Sequence, residues 1–487
     1  MRGAVHRSLV ALVAFTLLAV GCGSSGNNDD NGASATTELP ECPVGALAGA
    51  GGPVEVVLWH FLAGTTGDTL EQLASEYNAS QSQVHVRVES QGTNNDELWS
   101  KYRAGIGTGD LPAIAVTDDT VTVDIVDSGT VLPAASCIEA DSYDMTEFLP
   151  AAQQYYTVDD VLYPASVNLS GALLYYNKNH FRRANLDPDT TPGTLDEVRQ
   201  YAEQIKASGV VERPVILKVG PPLIEMWLTG AGQAVVNNDN GRGSDDTTSA
   251  AFDTDTTVQL YTWFQQMEQD GLLTVVADTP GQIDQYLGMA QETASMTIET
   301  STAATTIEAF LGGDTSVAED APGDADASGV DVTALDIGAG EVPGITEPGR
   351  LQMGGGAWYM TNTQAPEVQA AAWDFMKFFN TQQSQVTWNL SGGYLPYRTT
   401  AVDTPAVQER WTQTLAGQWL AIAYDELLNG VDPDFPGPLL GPYDEFRRAI
   451  RSSVEDVVFN NTPPADAVRS AADATTAALE RYQEENF

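Results

Sequence analysis

The chain has 487 residues, 42% of them apolar, which is enough to build buried cores in two to four domains and suits two large lobes. Its formal charge is −45, from 22 basic and 67 acidic residues. That excess disfavours nucleic acid and anionic membrane surfaces as partners, because both require a basic footprint, and it points to a well-solvated surface.

Arg2 and Arg7 form a basic n-region, and Ser8 to Val20 is an apolar run too short to cross a bilayer as a stable helix. The run ends in Leu18-Ala19-Val20-Gly21-Cys22, which resembles a bacterial lipoprotein signal with Ala19 where Leu is usual. On that reading residues 1–21 are a signal peptide and Cys22 is lipidated. Residues 22–53, rich in Gly, Ser, Asn and Asp, then form a flexible tether. Cys42 and Cys137 remain as an even pair in an oxidising compartment. A disulfide between them is the expectation, with two buried free thiols as the alternative. The chain has no C-x-x-C, so zinc-ribbon and thioredoxin chemistry are set aside.

The β-branched run Val54–His60 predicts a first strand, and Asp68 to Tyr77 a helix with Leu70, Leu73, Ala74 and Tyr77 on one face. Val84–Val88 alternates as a second strand, Leu98–Ile106 is helical up to Gly107 and Gly109, and Asp110–Val116 turns into a short strand. The stretch Tyr163–Phe181 crosses a small, polar patch at Ser166, Asn168, Ser170 and Gly171 before the apolar run Ala172–Tyr176. Such a run reads as a strand buried on both faces, and its small lead-in suits a bend close to a ligand. Downstream, the pattern predicts helices over 194–207, 221–231 and 256–270, with Thr194 and Glu197 in capping-box spacing. It predicts strands at Pro214–Lys218 and Ala294–Ile298, a surface loop at Asn237–Asp255 and a mobile loop at Gly312–Asp331. Val368–Asn380 and Ala465–Glu484 are amphipathic helices. Strands alternating with helices imply largely parallel sheets with crossover helices.

Catalytic signatures are missing. His60, His85 and His180 lie far apart, and the chain contains no H-E-x-x-H, G-x-S-x-G, P-loop or G-x-G-x-x-G after a strand. Carboxylates are too numerous for any pair to signal a glycosidase. Asp239, Asn240, Asp245 and Asp246 fit no EF-hand spacing and read as a solvated loop. No metal site and no cofactor are expected. The aromatic residues Trp59, Trp227, Trp358, Tyr359, Tyr394 and Tyr397 lie near strand ends or Gly-rich turns, where rings can stack on sugars or polyols; core packing is the alternative for each.

Taken together, the signal, the tether, Val54–His60 and Leu174-Tyr175-Tyr176-Asn177-Lys178 resemble a family 1 extracellular solute-binding protein of an ABC importer. Met296-Thr297-Ile298, Gly354-Gly355-Gly356-Ala357-Trp358 and Gly393-Tyr394-Leu395-Pro396 carry the same likeness, over residues 54–485. Within the family the likeness is to the glycerol-3-phosphate-binding branch, through Leu58-Trp59-His60, the Leu-Tyr-Tyr-Asn-Lys, the Gly-Tyr-Leu-Pro and the Gly441–Arg447 spacing. The resemblance implies that Arg447 holds a phosphate by bidentate bonds, that Tyr394 touches the ligand, and that Gly355 or a neighbouring glycine offers a backbone N–H. It places Asp119 where a Glu binds glycerol hydroxyls, Ser170 and Ser301 near ligand-binding serines, and Trp59 and Asn168 at the cleft. Two departures stand out. Asn95, with Asp96 beside it, stands where a Tyr is expected, and no Trp falls near Lys218–Pro222. Asp96 is therefore included among the candidates, and Lys218 is a further possible charge for a phosphate.

The implied fold is α/β, a two-lobe periplasmic-binding-protein-like fold of type II with an interlobe ligand cleft. One lobe is expected to comprise 54–165 plus 301–360, and the other 166–300 plus 361–487. Crossings between them are expected at Ser166–Leu169, Thr297–Thr300 and Tyr359–Thr363. The implied function is capture of glycerol-3-phosphate or a glycerophosphodiester by lobe closure, with a neutral mono- or oligosaccharide next. Partners would be ABC permease subunits and the membrane through the lipid anchor. No nucleic acid is expected, and the chain is expected to be a monomer without enzymatic activity. A secreted glycan or phosphodiester hydrolase is the rival reading, and a peptide- or metal-binding lipoprotein a third.

Overall fold

The computed structural model describes residues 39–276, 283–314, 330–349, 352–432 and 434–486. The expected signal peptide, Cys22, most of the tether and most of the loop expected at Gly312–Asp331 lie outside the described residues.

The first lobe opens with β1 (Val54–His60), whose residues alternate buried and less buried, as a half-covered strand requires. Helix α1 (Gly64–Ser80) leads to β2 (Val84–Ser90), which pairs parallel to β1. Helix α2 (Asn95–Thr108) starts where the Asn94 side chain accepts the Glu97 N–H and stops where Gly109 takes a left-handed conformation. Strand β3 (Ile114–Asp118) then pairs on the other side of β1. A 3-10 turn at Asp119–Val121 runs into α3 (Thr122–Asp127), followed by β4 (Val131–Leu132), α4 (Ala134–Asp141) and α5 (Pro150–Tyr155). A short hairpin, β5 (Thr157–Val158) and β6 (Val161–Leu162), precedes β7 (Ser166–Val167).

The second lobe begins with β8 (Ala172–Asn177), the apolar run singled out above, which is buried along almost its whole length. After α6 (Lys178–Arg183) and α7 (Leu195–Ala207) come β9 (Val215–Lys218) and α8 (Pro221–Gly230). The Thr194 side chain caps α7 at Glu197 N–H, and Glu197 reaches back to Gly193 N–H, close to the predicted box. Helix α9 (Asp255–Gln269), β10 (Leu273–Val276), α10 (Asp284–Ala290), β11 (Met296–Thr300), α11 (Ala303–Leu311) and β12 (Ile337–Gly340) follow. The strand order is β10-β9-β11-β8-β12, with β8 antiparallel to both neighbours.

The chain returns to the first sheet as β13 (Gly356–Thr361), giving the order β2-β1-β3-β13-β4 with β7 also on β13. Helices α12 (Pro366–Phe379) and α13 (Gln382–Gly392) cover that sheet and α1. Trp358, Trp373, Phe375, Phe379 and Trp388 close its core, into which the Cys42–Cys137 disulfide ties the segment before β1. Helices α14 (Pro405–Gln413), α15 (Leu415–Asn429), α16 (Tyr443–Phe459) and α17 (Pro464–Asn486) pack on the second lobe.

The lobe boundaries therefore differ from those expected in three places. Residues 337–340 join the second sheet, because β12 finds its backbone partner in β8. Residues 303–311 go with them, packing on β11 and α15. Residues 366–392 stay with the first lobe, where the apolar face of α12 covers β1 and β13. The crossings accordingly lie at residues 168–171, between β12 and β13, and after α13, rather than at Thr297–Thr300 or Tyr359–Thr363. Four of the six candidate stacking aromatics are core. Trp227, Trp358, Tyr359 and Tyr397 are at most 2% exposed.

Candidate functional site

The two sheets face one another across a cavity of ≈ 330 Å³. Its first-lobe wall is Asp118, at the end of β3, with Asp119 beginning the 3-10 turn. Its floor is the first crossing, Ser170 and Gly171, where Ser170 pairs with Gly354, together with Gly355 on the way back to β13. The second-lobe wall is Lys218 at the end of β9, Leu223, Glu225 and Met226 on α8, Glu299 and Thr300 at the end of β11, and Arg447 on α16. Strand ends are where an α/β sheet leaves backbone and side chains free to meet a ligand.

Asp118 and Asp119 act as a pair. Asp118 Oδ1 accepts the Thr120 N–H and hydroxyl, and Asp119 Oδ2 accepts the Tyr155 hydroxyl at 2.9 Å. Burial and then the adjacent Asp118 charge push Asp119 well above the usual carboxylate range. Burial also works against the Asp118 anion, but the hydrogen bond from Asp119 and the Arg447 charge outweigh it and hold Asp118 low. Of the two, Asp118 is thus the more acidic and Asp119 the less acidic member of the pair.

Tyr443 and Arg447 lie one turn apart on α16, so they share a face. Arg447 Nε donates to Glu225 Oε1 at 2.8 Å and Nη2 to Oε2 at 3.0 Å, a bidentate fork. The Tyr443 hydroxyl adds a third bond to Glu225 Oε2 at 3.1 Å. Arg447 Nη1 stands 4.0 Å from Asp118 Oδ1, and the guanidinium lies over the Tyr443 ring. Burial disfavours the Arg447 cation, but the Glu225 charge more than compensates, so the side chain stays charged. On the same wall, Glu299 accepts from Gln285 at 2.7 Å. Burial raises its pKa, against the opposing charge of Lys218.

Gly355 holds φ at +134°, and a Cβ there would come within 1.7 Å of the Asn168 carbonyl oxygen. No other residue allows the two crossing segments to approach so closely. Ser301 splices the floor to the second lobe: its N–H donates to Gly171 O at 2.7 Å, and its hydroxyl accepts the Gly171 N–H.

Of the residues picked from the sequence, Asp119, Ser170, Gly355 and Arg447, with the further charge Lys218, converge on the cavity. The others are placed elsewhere. Asn168 is buried beneath the floor and its Oδ1 accepts from Trp358 Nε1. Ser301 is buried beside it. Trp59 is partly buried on β1 and bonds Glu89. Asp96 is exposed in the first turn of α2; its neighbour Asn95 accepts the Asp118 N–H. Tyr394 stacks on Trp388. Sequence reading passed over Asp118, Glu225, Glu299 and Gln352. A signal existed for Glu225, a lone charge inside the apolar run Leu223–Leu228, and for Asp118, half of an acidic doublet at the end of a buried strand. Among the described residues no group of three or more His, Cys, Asp or Glu side chains could hold a metal ion, and no helix is long and apolar enough to cross a membrane.

Residues 72–414 match the family described as bacterial extracellular solute-binding protein. The sn-glycerol-3-phosphate-binding periplasmic protein UgpB of Pectobacterium atrosepticum is 25% identical, over 90% of this chain and 94% of its own. The solved structure of UgpB from Mycobacterium tuberculosis in complex with glycerophosphocholine superposes with a TM-score of 0.68 at 17% identity, covering 89% of this chain and 100% of that one. The sugar-binding protein MalE of Xanthomonas citri superposes with a TM-score of 0.69 at 17% identity, covering 88% and 98%. The two-lobe α/β architecture is common to these neighbours. With a match running from α1 to the end of α14, the chain belongs to the bacterial extracellular solute-binding proteins, the solute-capturing components of ABC importers.

Proposed function

We propose that the protein captures a neutral, hydroxyl-rich solute, a mono- or oligosaccharide or polyol, in the interlobe cavity. The observation that carries this reading is that the Arg447 fork is already filled by Glu225. Four carboxyl groups, Asp118, Asp119, Glu225 and Glu299, face two cations, Lys218 and Arg447, so the walls present no spare positive charge for a dianion. Carboxylates accept hydroxyl donors well. Ser170 and the backbone around Gly354 and Gly355 supply further polar contacts. Closure of the lobes on the bound solute creates the form that docks on the permease subunits. Cys22 anchors the chain to the membrane. The protein works as a monomer, binds no nucleic acid and does no chemistry on its solute.

A second reading, glycerol-3-phosphate or a glycerophosphodiester, is favoured by one specific observation. Asp119, Ser170, Gly355 and Arg447, four of the positions that resemblance assigns to that ligand, line the cavity, and the glycerol-3-phosphate-binding relatives bear that solute in their names. It requires Arg447 to exchange Glu225 for phosphate.

Titration calorimetry with maltose, maltotriose, glycerol, glycerol-3-phosphate and glycerophosphocholine separates the two. Saccharide binding without phosphate-ester binding is expected, and the reverse pattern overturns the first reading in favour of the second. Recovery of cleaved ligand would show an enzyme instead. Cys22→Ala should release the protein from membranes, and continued anchoring refutes lipidation at that residue.

A further inference from the structure

We infer that Glu225 is a built-in anion that occupies the anion-binding fork of Arg447 and so sets the charge of the solute the cavity accepts. The inference deepens the neutral-solute reading and rests on it for the direction of selection. A carboxylate and a phosphate present the same pair of oxygens to a guanidinium, so one can stand where the other would bind. Glu225 does this with both oxygens, at 2.8 and 3.0 Å, and is 0% exposed. The Tyr443 hydroxyl fixes Oε2 from a third direction. Arg447 is flanked on its remaining side by Asp118 at 4.0 Å. The guanidinium is therefore neutralised before any solute arrives.

A purely structural ion pair is the alternative, and location argues against it. Both partners line the solute cavity, and Glu225 lies between Ile224 and Met226 on an apolar helix, where an unpaired carboxylate is costly to bury. A cavity meant only to be packed would be filled more stably by an apolar side chain there. A carboxylate at this place also rejects anions, because any phosphate reaching Arg447 would either stay beside a buried negative charge or leave that charge without its partner.

The test uses Glu225→Gln, which keeps the shape and one acceptor but removes the charge, and Glu225→Ala, which vacates the site if the amide fails to satisfy Arg447 and Tyr443 together. Glycerol-3-phosphate and maltotriose are the probes, with calorimetric affinity as the readout. Glycerol-3-phosphate should bind at least about tenfold more tightly to a folded Glu225 variant than to the wild type. Adding Arg447→Met should abolish that gain. A folded variant that shows no gain, or a gain that survives Arg447→Met, overturns the inference. The neutral-solute reading is judged separately, on the wild type alone. A wild type that prefers glycerol-3-phosphate to maltotriose refutes that reading, while the change between wild type and variant still measures what Glu225 does.

Discussion

Replacing Arg242 with Met should weaken solute binding although Arg242 touches no part of the solute cavity. Arg242 follows the left-handed turn Asn238–Asn240 in the second lobe, where its Nε donates to Gly437 O at 2.7 Å. Its other nitrogens reach the first lobe. Nη2 donates to Tyr155 O at 3.0 Å, and Nη1 approaches Gln154 O at 3.3 Å and Thr157 O at 3.4 Å. The first two are carbonyls at the C-terminal end of α5, which the helix itself cannot satisfy, and the third belongs to β5. The guanidinium also lies 5.8 Å from the Tyr155 ring, and the Tyr155 hydroxyl holds Asp119 in the cavity. Burial lowers the Arg242 pKa to about 10, which leaves it charged at neutral pH.

The magnitude follows from which bonds are lost on opening. A hydrogen bond from a charged donor is worth about 1.5–3 kcal/mol net. Only the bond to Tyr155 has good length, the other two are long, and an opened guanidinium regains water. If the described arrangement of the lobes is the one that holds solute, the latch should therefore favour it over an opened form by about 2 kcal/mol, roughly 30-fold. If the free protein is mainly open, the whole factor appears in Kd. The assay is calorimetry of Arg242→Met with a solute that the wild type binds, alongside small-angle scattering with and without it. Unchanged affinity together with an unchanged compaction on binding would refute the latch.

Three further outcomes are expected. Gly355→Ala, which drives a Cβ into Asn168 O, should cost roughly 2–4 kcal/mol in denaturant unfolding and abolish binding; a stable, binding variant would contradict the close approach. Glu426 accepts the Val342 N–H, and burial pushes its pKa up to about 8. The native state therefore holds a proton that the unfolded chain releases from about pH 4.5 upward, so its stabilising share is complete at low pH and lost as pH rises through 8. Glu426→Gln should flatten that decline, and parallel stability–pH curves would refute it. Finally, the Cys42–Cys137 disulfide closes a loop of sequence separation 95, worth about 4–5 kcal/mol in the chain-entropy account. Reduction, or Ser at both positions, should lower the unfolding midpoint of the first lobe, and no shift would show that the bond constrains little.

Local pattern made most elements legible. Val54–His60 announced a strand by its β-branched run, Ala172–Tyr176 announced its burial by an unbroken apolar run, and Thr194 with Glu197 announced a helix start. Lobe membership was not legible, because it is decided by partners far away in the chain. Nothing within Ile337–Gly340 says that β8 will be its neighbour, and nothing in α12 says which sheet it covers. The conspicuous aromatics misled for a related reason. Trp227 and Trp358 look free in sequence, yet each indole N–H finds a buried acceptor, Pro343 O and Asn168 Oδ1. Arg447 was identified through resemblance, but the residue that decides what Arg447 can bind, Glu225, is 222 positions away.

The hinge and the solute floor are built from one backbone seam, and this limits what any mutation there can reveal. The first crossing pairs with the return to β13 at Ser170 and Gly354, and with the third crossing at Leu169 and Leu395. Ser301 then bonds Gly171 from the second lobe. Ser170, Gly171, Gly354 and Gly355 are at once the pivot and part of the cavity surface. A change such as Gly355→Ala alters closure and contact together, so its loss of affinity cannot be apportioned between them. Arg242 acts on closure from outside the cavity, and Glu225 acts on contact from the helix that lines its second-lobe wall. Compared in one background, Arg242→Met should weaken all solutes by a common factor, whereas Glu225→Gln should change the ratio between charged and neutral ones. That contrast separates how tightly the lobes close from what they close upon.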